Sequence, residues 1–422
     1  MLNRPYRILM FSPAFAPLNG PEAIVNNKLC SIFLKYGLSV DVVSRDSSQF
    51  VTTSYTGSNR SGWKELEPSI HEVVYAAGGM ITSKIDTAFS LLQTGRPVEG
   101  IRWAARAYKI GMQLHTQNPY DIILSRASPD AANIPAMMMK RATGLPWIAN
   151  WNDPSDVMPS REYGGTKKHQ FGYFHGRLLR EAARRADWHT FPSARLRTHA
   201  FSYLKNIEMK SSVIPHPSLE QGEANANDHT GRFILCHAGD LSAERDPETF
   251  FQSIAWLTEK PEIAQSLKIW IIGEASEESR ALARKYSIEP LIEWKGHFSY
   301  HETMNLLAQC SVLFIVEAPS IEGIFLPSKF TDYVQTGKPI LSLSPKTGTL
   351  HDILSEHGGG IAADCTSTES TTSALNELFD AWREGRLQKQ YGSARLFQLF
   401  SPEKIMSEYT LLFSKLITRR VM

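Results

Sequence analysis

Short apolar runs alternate with longer segments of helical periodicity along almost the whole chain, and this rhythm stops once and restarts. "YRILMF" (6–11), "SVDVVS" (39–44), "DIILS" (121–125), "PWIAN" (146–150) and "SVIPH" (212–216) are short, rich in β-branched residues and bounded by Gly, Pro or Asp. They read as buried strands. Between them, segments 22–36, 101–116, 131–143 and 171–186 place apolar residues at helical spacing. Alternation of this kind builds βαβ units, hence a mostly parallel sheet covered by helices.

The break is "PHPSLEQGEANANDHTG" (215–231), polar, carrying Pro, Gly and Asn, and without apolar period. It reads as a linker. Beyond it come "RFILCHAG" (232–239), "LKIWIIG" (267–273), "LIEWKG" (291–296), "SVLFIV" (311–316) and "KPILSLS" (338–344), separated by helical patterns at 247–259, 276–286, 300–309, 349–356 and 370–384. A chain of 422 residues exceeds one ordinary core. The expected fold class is therefore α/β, with Rossmann-like, doubly wound domains at 1–214 and 232–398 facing one another across a cleft. In such sheets ligands sit beyond the carboxyl ends of the strands, so the loops after strands are where function is expected.

Composition narrows the classes. Forty-five Lys and Arg against 43 Asp and Glu give a net charge of +2, too balanced for a dedicated nucleic-acid binder. No stretch reaches the ~18 consecutive apolar residues of a spanning helix. The first run is broken by prolines and reads as a strand, not a signal peptide. Cys30, Cys236, Cys310 and Cys365 are scattered with no CxxC pair, which argues against disulfides and a cysteine-held metal and fits a reducing cytoplasm.

Three loops carry chemistry. In "SPAFAPLNGPEA" (12–23), Gly20 precedes a helix opening at Pro21; the helix N-terminus could take a phosphate, or the segment is simply a turn. In "HAGDLSAERDPETF" (237–250), Gly239 permits a tight turn after a strand, and Ser242 could cap or bind. Arg245 could pair bidentately with a diphosphate, or belong to a charged first helical turn. In "FLPSKFTDY" (325–333), Pro327 puts Ser328 and Lys329 at a helix N-terminus, and Asp332 lies on the same face as Lys329. As an exposed ion pair those two would stabilise the helix by only ~0.2–0.5 kcal/mol. Placed after a core strand, Lys329 suits a phosphate and Asp332 suits ribose hydroxyls.

Several of these stretches resemble one family. "RILMFSPAFAPLNGPEAIVNNKLCSIFLKYGLSVDVVS" looks like the first βαβ unit of family-4 type, retaining nucleotide-sugar glycosyltransferases of the GT-B fold. "GDLSAERDPETFFQSI" resembles their loop G-R-L-S-x-E-K-G. "PSKFTDYVQTGKPIL" is similar to P-S-K-x-x-E-Y-x-A-x-G-K-P-V from a bacterial polysaccharide branch, of capsule and O-antigen type. The tail at 399–422, with "FSPEKIMSEYTLLFSKL", looks like the family's last helix, which crosses back to the first domain. The resemblance implies that Gly20 and Gly239 approach a donor diphosphate, that Arg245 holds it in place of the family lysine, and that Asp332 replaces the ribose-binding glutamate. Ser328 and Lys329 would lie near the phosphates or the donor sugar. There are departures: Gly20 stands alone where two glycines are usual, Asp240 replaces a common arginine, and Ile324 falls where the first of two acids is expected. Glu322, or Glu317 in the same loop, would supply that acid.

On the acceptor side, Asp153 and Asp156 follow the fourth strand; Asp153 could touch a nucleophile, or Asp153-Pro154 is only a turn. The loop "SRASPDAAN" (125–133) lacks the family's histidine, leaving Ser125, Arg126 and Ser128 as substitutes, while His216 reads as structural. Basic residues with interleaved aromatics at 167–185 could touch an anionic membrane or a lipid diphosphate, or form a solvated helix face. The resemblance implies glycosyl transfer from a UDP- or GDP-linked sugar to a glycan, lipid-linked or other hydroxyl acceptor in cell-surface polysaccharide synthesis. It further implies retention, with no metal and no cofactor. The alternatives are a catalytically weak nucleotide-binding partner subunit of a polysaccharide assembly and a GT-B sugar-nucleotide epimerase.

Overall fold

Apolar runs too continuous to leave one face in water become strands buried on both faces, and the chain does this twice. A computed structural model describes residues 5–16, 18, 20–45, 69–73, 84–85, 87–89, 92, 101–127, 129–155, 173–220, 231–241, 245 and 247–421. They divide into two compact units, one gathering the described residues up to 155, 173–217 and 402–421, the other 218–401.

In the first unit the strands are β1 (Arg7–Phe11), β2 (Ser39–Arg45), β3 (Ser69–Val73), β4 (Ile122–Ala127), β5 (Trp147–Trp151), β6 (Trp188–Phe191) and β7 (Ser211–Val213). They lie in the order β3-β2-β1-β4-β5-β6-β7, and every neighbouring pair is parallel. Helices α1 (Pro21–Lys35), α2 (Ile101–Gln117), α3 (Asn133–Thr143) and α4 (Tyr173–Arg185) make connections. The chain moves outward from β1 to β3 and then restarts at β4 on the other side, so the order reverses between β1 and β4. β4 and β5 are buried along their whole length.

The second unit repeats the scheme with β8 (Phe233–Ala238), β9 (Leu267–Ile272), β10 (Ile292–Gly296), β11 (Val312–Val316), β12 (Ile340–Ser344) and β13 (Gly360–Asp364). Their order is β10-β9-β8-β11-β12-β13, again all parallel. Helices α5 (Glu248–Leu257), α6 (Tyr300–Leu307), α7 (Ser328–Thr336) and α8 (Thr349–His357) flank the sheet. Successive side chains of a strand point to opposite faces. Accordingly Phe233, Leu235 and Phe314 enter one core layer, and Ile234, Cys236, Leu313 and Ile315 the other. In the first layer Phe250 of α5 stacks on Phe314 at 4.5 Å.

The last helix, α9 (Pro402–Val421), belongs to the first unit although it follows the second in sequence. Tyr409 packs edge-on against Phe33 of α1 at 5.0 Å, and Phe413 closes on the same ring at 5.8 Å. Three strands lie outside the periodicity reading, namely β3, β6 and β13. "SIHEV" and "GIAAD" form sheet edges, where one side lacks a neighbour and the apolar demand falls, and "WHTF" buries a histidine and a threonine. The expected strand 212–216 shortens to Ser211–Val213 because the prolines at 215 and 217 cannot donate to a ladder.

Candidate functional site

In the second unit the strand order reverses between β8 and β11, and the loops beyond their carboxyl ends meet the start of α7. Such a reversal leaves a crevice between oppositely running connections, the usual ligand position in open α/β sheets. Gly239 leaves β8 with φ +114°, a conformation that a side chain would strain, and its N–H donates to Ile272 O at 2.7 Å. Pro327 sets up α7 at φ −58° as its cap residue. No side chain caps this helix and no acid sits in its first turn, so its N-terminal partial positive charge is not offset from within the helix.

Lys329 and Tyr333, one turn apart on α7, both reach the end of β8. Lys329 Nζ lies 3.0 Å from His237 Nε2, while the Tyr333 hydroxyl accepts from Ala238 N at 2.8 Å and donates to Phe314 O at 3.3 Å. Arg245, just before α5, donates from Nη1 to Val316 O at 3.0 Å, at the end of β11. Burial pushes the Lys329 ammonium well below its ordinary pKa; the Arg245 charge adds to this, and Asp240 and Asp332 oppose it. Two cations held this close, beside an uncapped helix N-terminus, form an arrangement that an anion would relieve.

Asp332 is nearly buried and accepts from the Tyr300 hydroxyl of α6 at 2.7 Å. Sequence spacing grouped Asp332 with Lys329, yet their closest side-chain partners lie on different elements. Glu317 follows β11 directly and is 7% exposed, and its Oε2 is shielded from solvent without a hydrogen-bond partner. Burial raises its pKa to about 7 against the pull of Arg245. Glu322 is exposed, and Ile324 is buried. Ser328 opens α7 half-buried, and Asp240 Oδ1 accepts from Glu274 N at 3.0 Å. Ser242 lies outside the described residues.

The first unit has its own polar cluster at the corresponding reversal. Gly20 is the cap residue of α1 in extended geometry, φ −83°, and its carbonyl accepts from Ile24 N at 3.0 Å. Glu22 Oε1 accepts from Asn26 Nδ2 at 3.2 Å and from Asn152 Nδ2, and Asn26 Oδ1 accepts from Arg126 Nε. Burial raises Glu22 to about 7; Arg126 opposes this and Asp153 adds to it. Asp153 itself is exposed after β5. Burial, with Arg126 and Lys28 nearby, lowers His216 to about 3, so it is neutral. Asp156 and Ser128 lie outside the described residues.

Sequence reasoning passed over Glu22, Asn26, Asn152, His237, Tyr300 and Tyr333. The Glu22–Asn26 pair had a signal, since residues four apart share a helix face. The pairing of His237 with Lys329 had none, because the sheet brings them together from 92 positions apart.

Residues 221–395 match the family described as glycosyl transferases group 1. No curated protein matches the sequence. Among solved structures, HepE from Anabaena in complex with UDP and glucose is similar, with TM-score 0.67 at 13% identity, covering 97% of this chain and 100% of that one. Sucrose-phosphate synthase from Thermosynechococcus elongatus gives TM-score 0.71 at 13% identity, covering 98% and 100%. WaaG, a glycosyltransferase involved in lipopolysaccharide biosynthesis, gives 0.58 at 12%, covering 94% and 98%. Likeness at such identity establishes the fold, which is GT-B. The family match makes 221–395 a glycosyl transferase domain, and the chain an enzyme of that type.

Proposed function

We propose that the chain transfers a glycosyl group from a UDP- or GDP-linked sugar to a hydroxyl of a glycan or lipid-linked acceptor, and that the second unit holds the donor nucleotide. The observation that carries this reading is the convergence of Arg245, Lys329, Gly239 and the uncapped start of α7 at one strand-order reversal, inside the matched segment. As the glycosidic bond to phosphate breaks, charge grows on the departing nucleoside diphosphate. Fixed donors aimed at that charge lower the barrier without reorganising at the moment of reaction. Lys329 and Arg245 meet the phosphates, Ser328 and the backbone at Gly239 line their approach, and Asp332, oriented by Tyr300, accepts from the ribose.

Glu322 is one acid available to the donor sugar, and Glu317 fits that task better because it is buried, its Oε2 has no hydrogen-bond partner, and it is close to Gly323. Asp153, Asp156 and Ser128 serve the acceptor. Retention without a metal follows from the resemblance. Support for a UDP-linked donor comes from the HepE complex, and support for a polysaccharide setting from WaaG. Among the described residues no helix is long and apolar enough to cross a membrane. In α4, Tyr173 and Phe174 are exposed in the first turn and Arg184 and Arg185 make the last turn basic, a composition that suits a peripheral contact through 167–185 at a cytoplasmic membrane face.

The test is incubation of the full chain with a panel of UDP- and GDP-sugars and lipid-linked acceptors, following release of nucleoside diphosphate and the glycosylated product by mass spectrometry. Turnover with one donor is the expected result. Folded protein that neither binds nucleoside diphosphate nor turns over any donor would sink the reading.

A further inference from the structure

We propose that His237 is a positioning residue of the donor site: it works as a neutral hydrogen-bond acceptor that holds the Lys329 ammonium over Gly239, where the donor diphosphate binds. This rests on the donor-site reading above.

Geometry fixes the tautomer. His237 Nδ1 lies 3.0 Å from Phe314 O, and a carbonyl oxygen only accepts, so Nδ1 carries the hydrogen. His237 is fully buried, and burial together with the Lys329 and Arg245 charges keeps its pKa well below the ordinary value. With the hydrogen of the neutral ring on Nδ1, Nε2 is the acceptor that Lys329 Nζ faces at 3.0 Å, while the Asp240 backbone also contacts the ring. A β-carbon at Gly239 would stand 2.7 Å from Nζ and 3.2 Å from Cε, so the missing side chain at 239 is the space that the lysine head occupies. Tyr333 fixes the next turn of the same helix face through Ala238 N and Phe314 O. The head group is thus set between His237 and Gly239, with donor capacity left over, since an ammonium has three hydrogens.

Other titratable groups share the site. Asp240 follows β8, Arg245 precedes α5, and Asp332 lies on α7 with Tyr300 of α6 behind it. Glu317 sits beyond Arg245 at the end of β11. The depressed Lys329 pKa means that the charged head is favoured at lower pH and lost as pH rises through that value. Glu317 deprotonating near 7 acts in the same direction on an incoming anion.

Two substitutions separate positioning from mere support of the fold. His237→Gln carries an acceptor out to the Nε2 position and drops the bond to Phe314 O; His237→Asn keeps a donor near Nδ1 and drops Lys329. Calorimetric titration with UDP and with GDP at pH 6.5 and 8.5, alongside melting curves, reads both. The ligand's own ionisation is common to all variants, so differences between them belong to the protein. Wild type is expected to bind one nucleotide more weakly at pH 8.5, and His237→Gln to stay within about threefold of it. His237→Asn is expected to bind about tenfold more weakly at pH 6.5, the worth of one charge-assisted hydrogen bond, with a flatter pH response. Should His237→Asn fail to fold, Gly239→Ala displaces the lysine while leaving the Phe314 bond, and should give the same weak, flat profile. The opposite ranking of the two histidine variants, equal affinities in all three proteins, or an equal loss in both variants would overturn the inference. Folded wild type that binds neither nucleotide would instead remove the donor-site reading, and this inference with it.

Discussion

Lys329 carries its charge in surroundings that disfavour it, and the chain keeps that strain where an anion would cancel it. Removing the head group by Lys329→Ala should leave folding intact, since burial alone already penalises the ammonium. Nucleotide affinity should fall about ten- to a hundredfold, the range for hydrogen bonds to charged groups. Asp332→Ala should weaken the same nucleotide but also cost stability, because the Tyr300 hydroxyl loses its acceptor. A titration paired with a melting curve separates the two effects, and unchanged affinity in both variants contradicts the site. Gly239→Ala adds backbone strain of about 1–3 kcal/mol at φ +114° and pushes on Nζ, so it should lower both melting temperature and affinity. A variant with wild-type values for both would show that neither the strain nor the contact matters.

At the scale of elements, what could be read from the sequence follows how fully each element is buried. "VLFIV" and "IILSRA" announce themselves because strands covered on both faces need apolar residues at nearly every position. "SIHEV" and "GIAAD" do not, because edge strands tolerate polar residues. Helix α7 was legible through Pro327 before it and Gly337 after it, the second in left-handed geometry. Its partners were not: Lys329 and Tyr333 are a helical repeat apart, but what they grip depends on which strand ends the sheet order brings beneath them. Membership of α9 in the first unit is a packing fact of the same kind, carried by Tyr409 and Phe413 against Phe33. Phe413 is fully buried, so Phe413→Ala should destabilise that unit by about 3–5 kcal/mol, as aromatic-to-alanine changes in cores do. Hydrogen exchange should locate the loss in α1 and α9. Protection unchanged there would mean that the last helix is not part of that core.

For the whole molecule, the buried titratable groups set how stability depends on pH. Among the described residues His189 and His216 are lowered from 6.5 to about 3, His237 is lowered well below 6.5, and Glu22 and Glu317 are raised from 4.5 to about 7. Each histidine binds its proton more readily when unfolded, so its stabilising contribution is whole above about 6.5 and is lost as pH falls below it. Each glutamate binds its proton more readily when folded, so its contribution is whole below 4.5 and is lost as pH rises toward 7. Between 4.5 and 6.5 three histidines act against two glutamates, and three minus two leaves about one proton in favour of unfolding on acidification. One proton is worth about 1.4 kcal/mol per pH unit, hence about 3 kcal/mol over the window. That is a sizeable share of the 5–15 kcal/mol that usually holds a domain together. Denaturant unfolding at pH 6.5, 5.5 and 4.5 should therefore show stability falling with pH. In His216→Gln two histidines face two glutamates, and the slope should nearly vanish; in Glu22→Gln three face one, and it should about double. Equal slopes in wild type and both variants would mean that these buried groups do not hold the charge states their burial imposes.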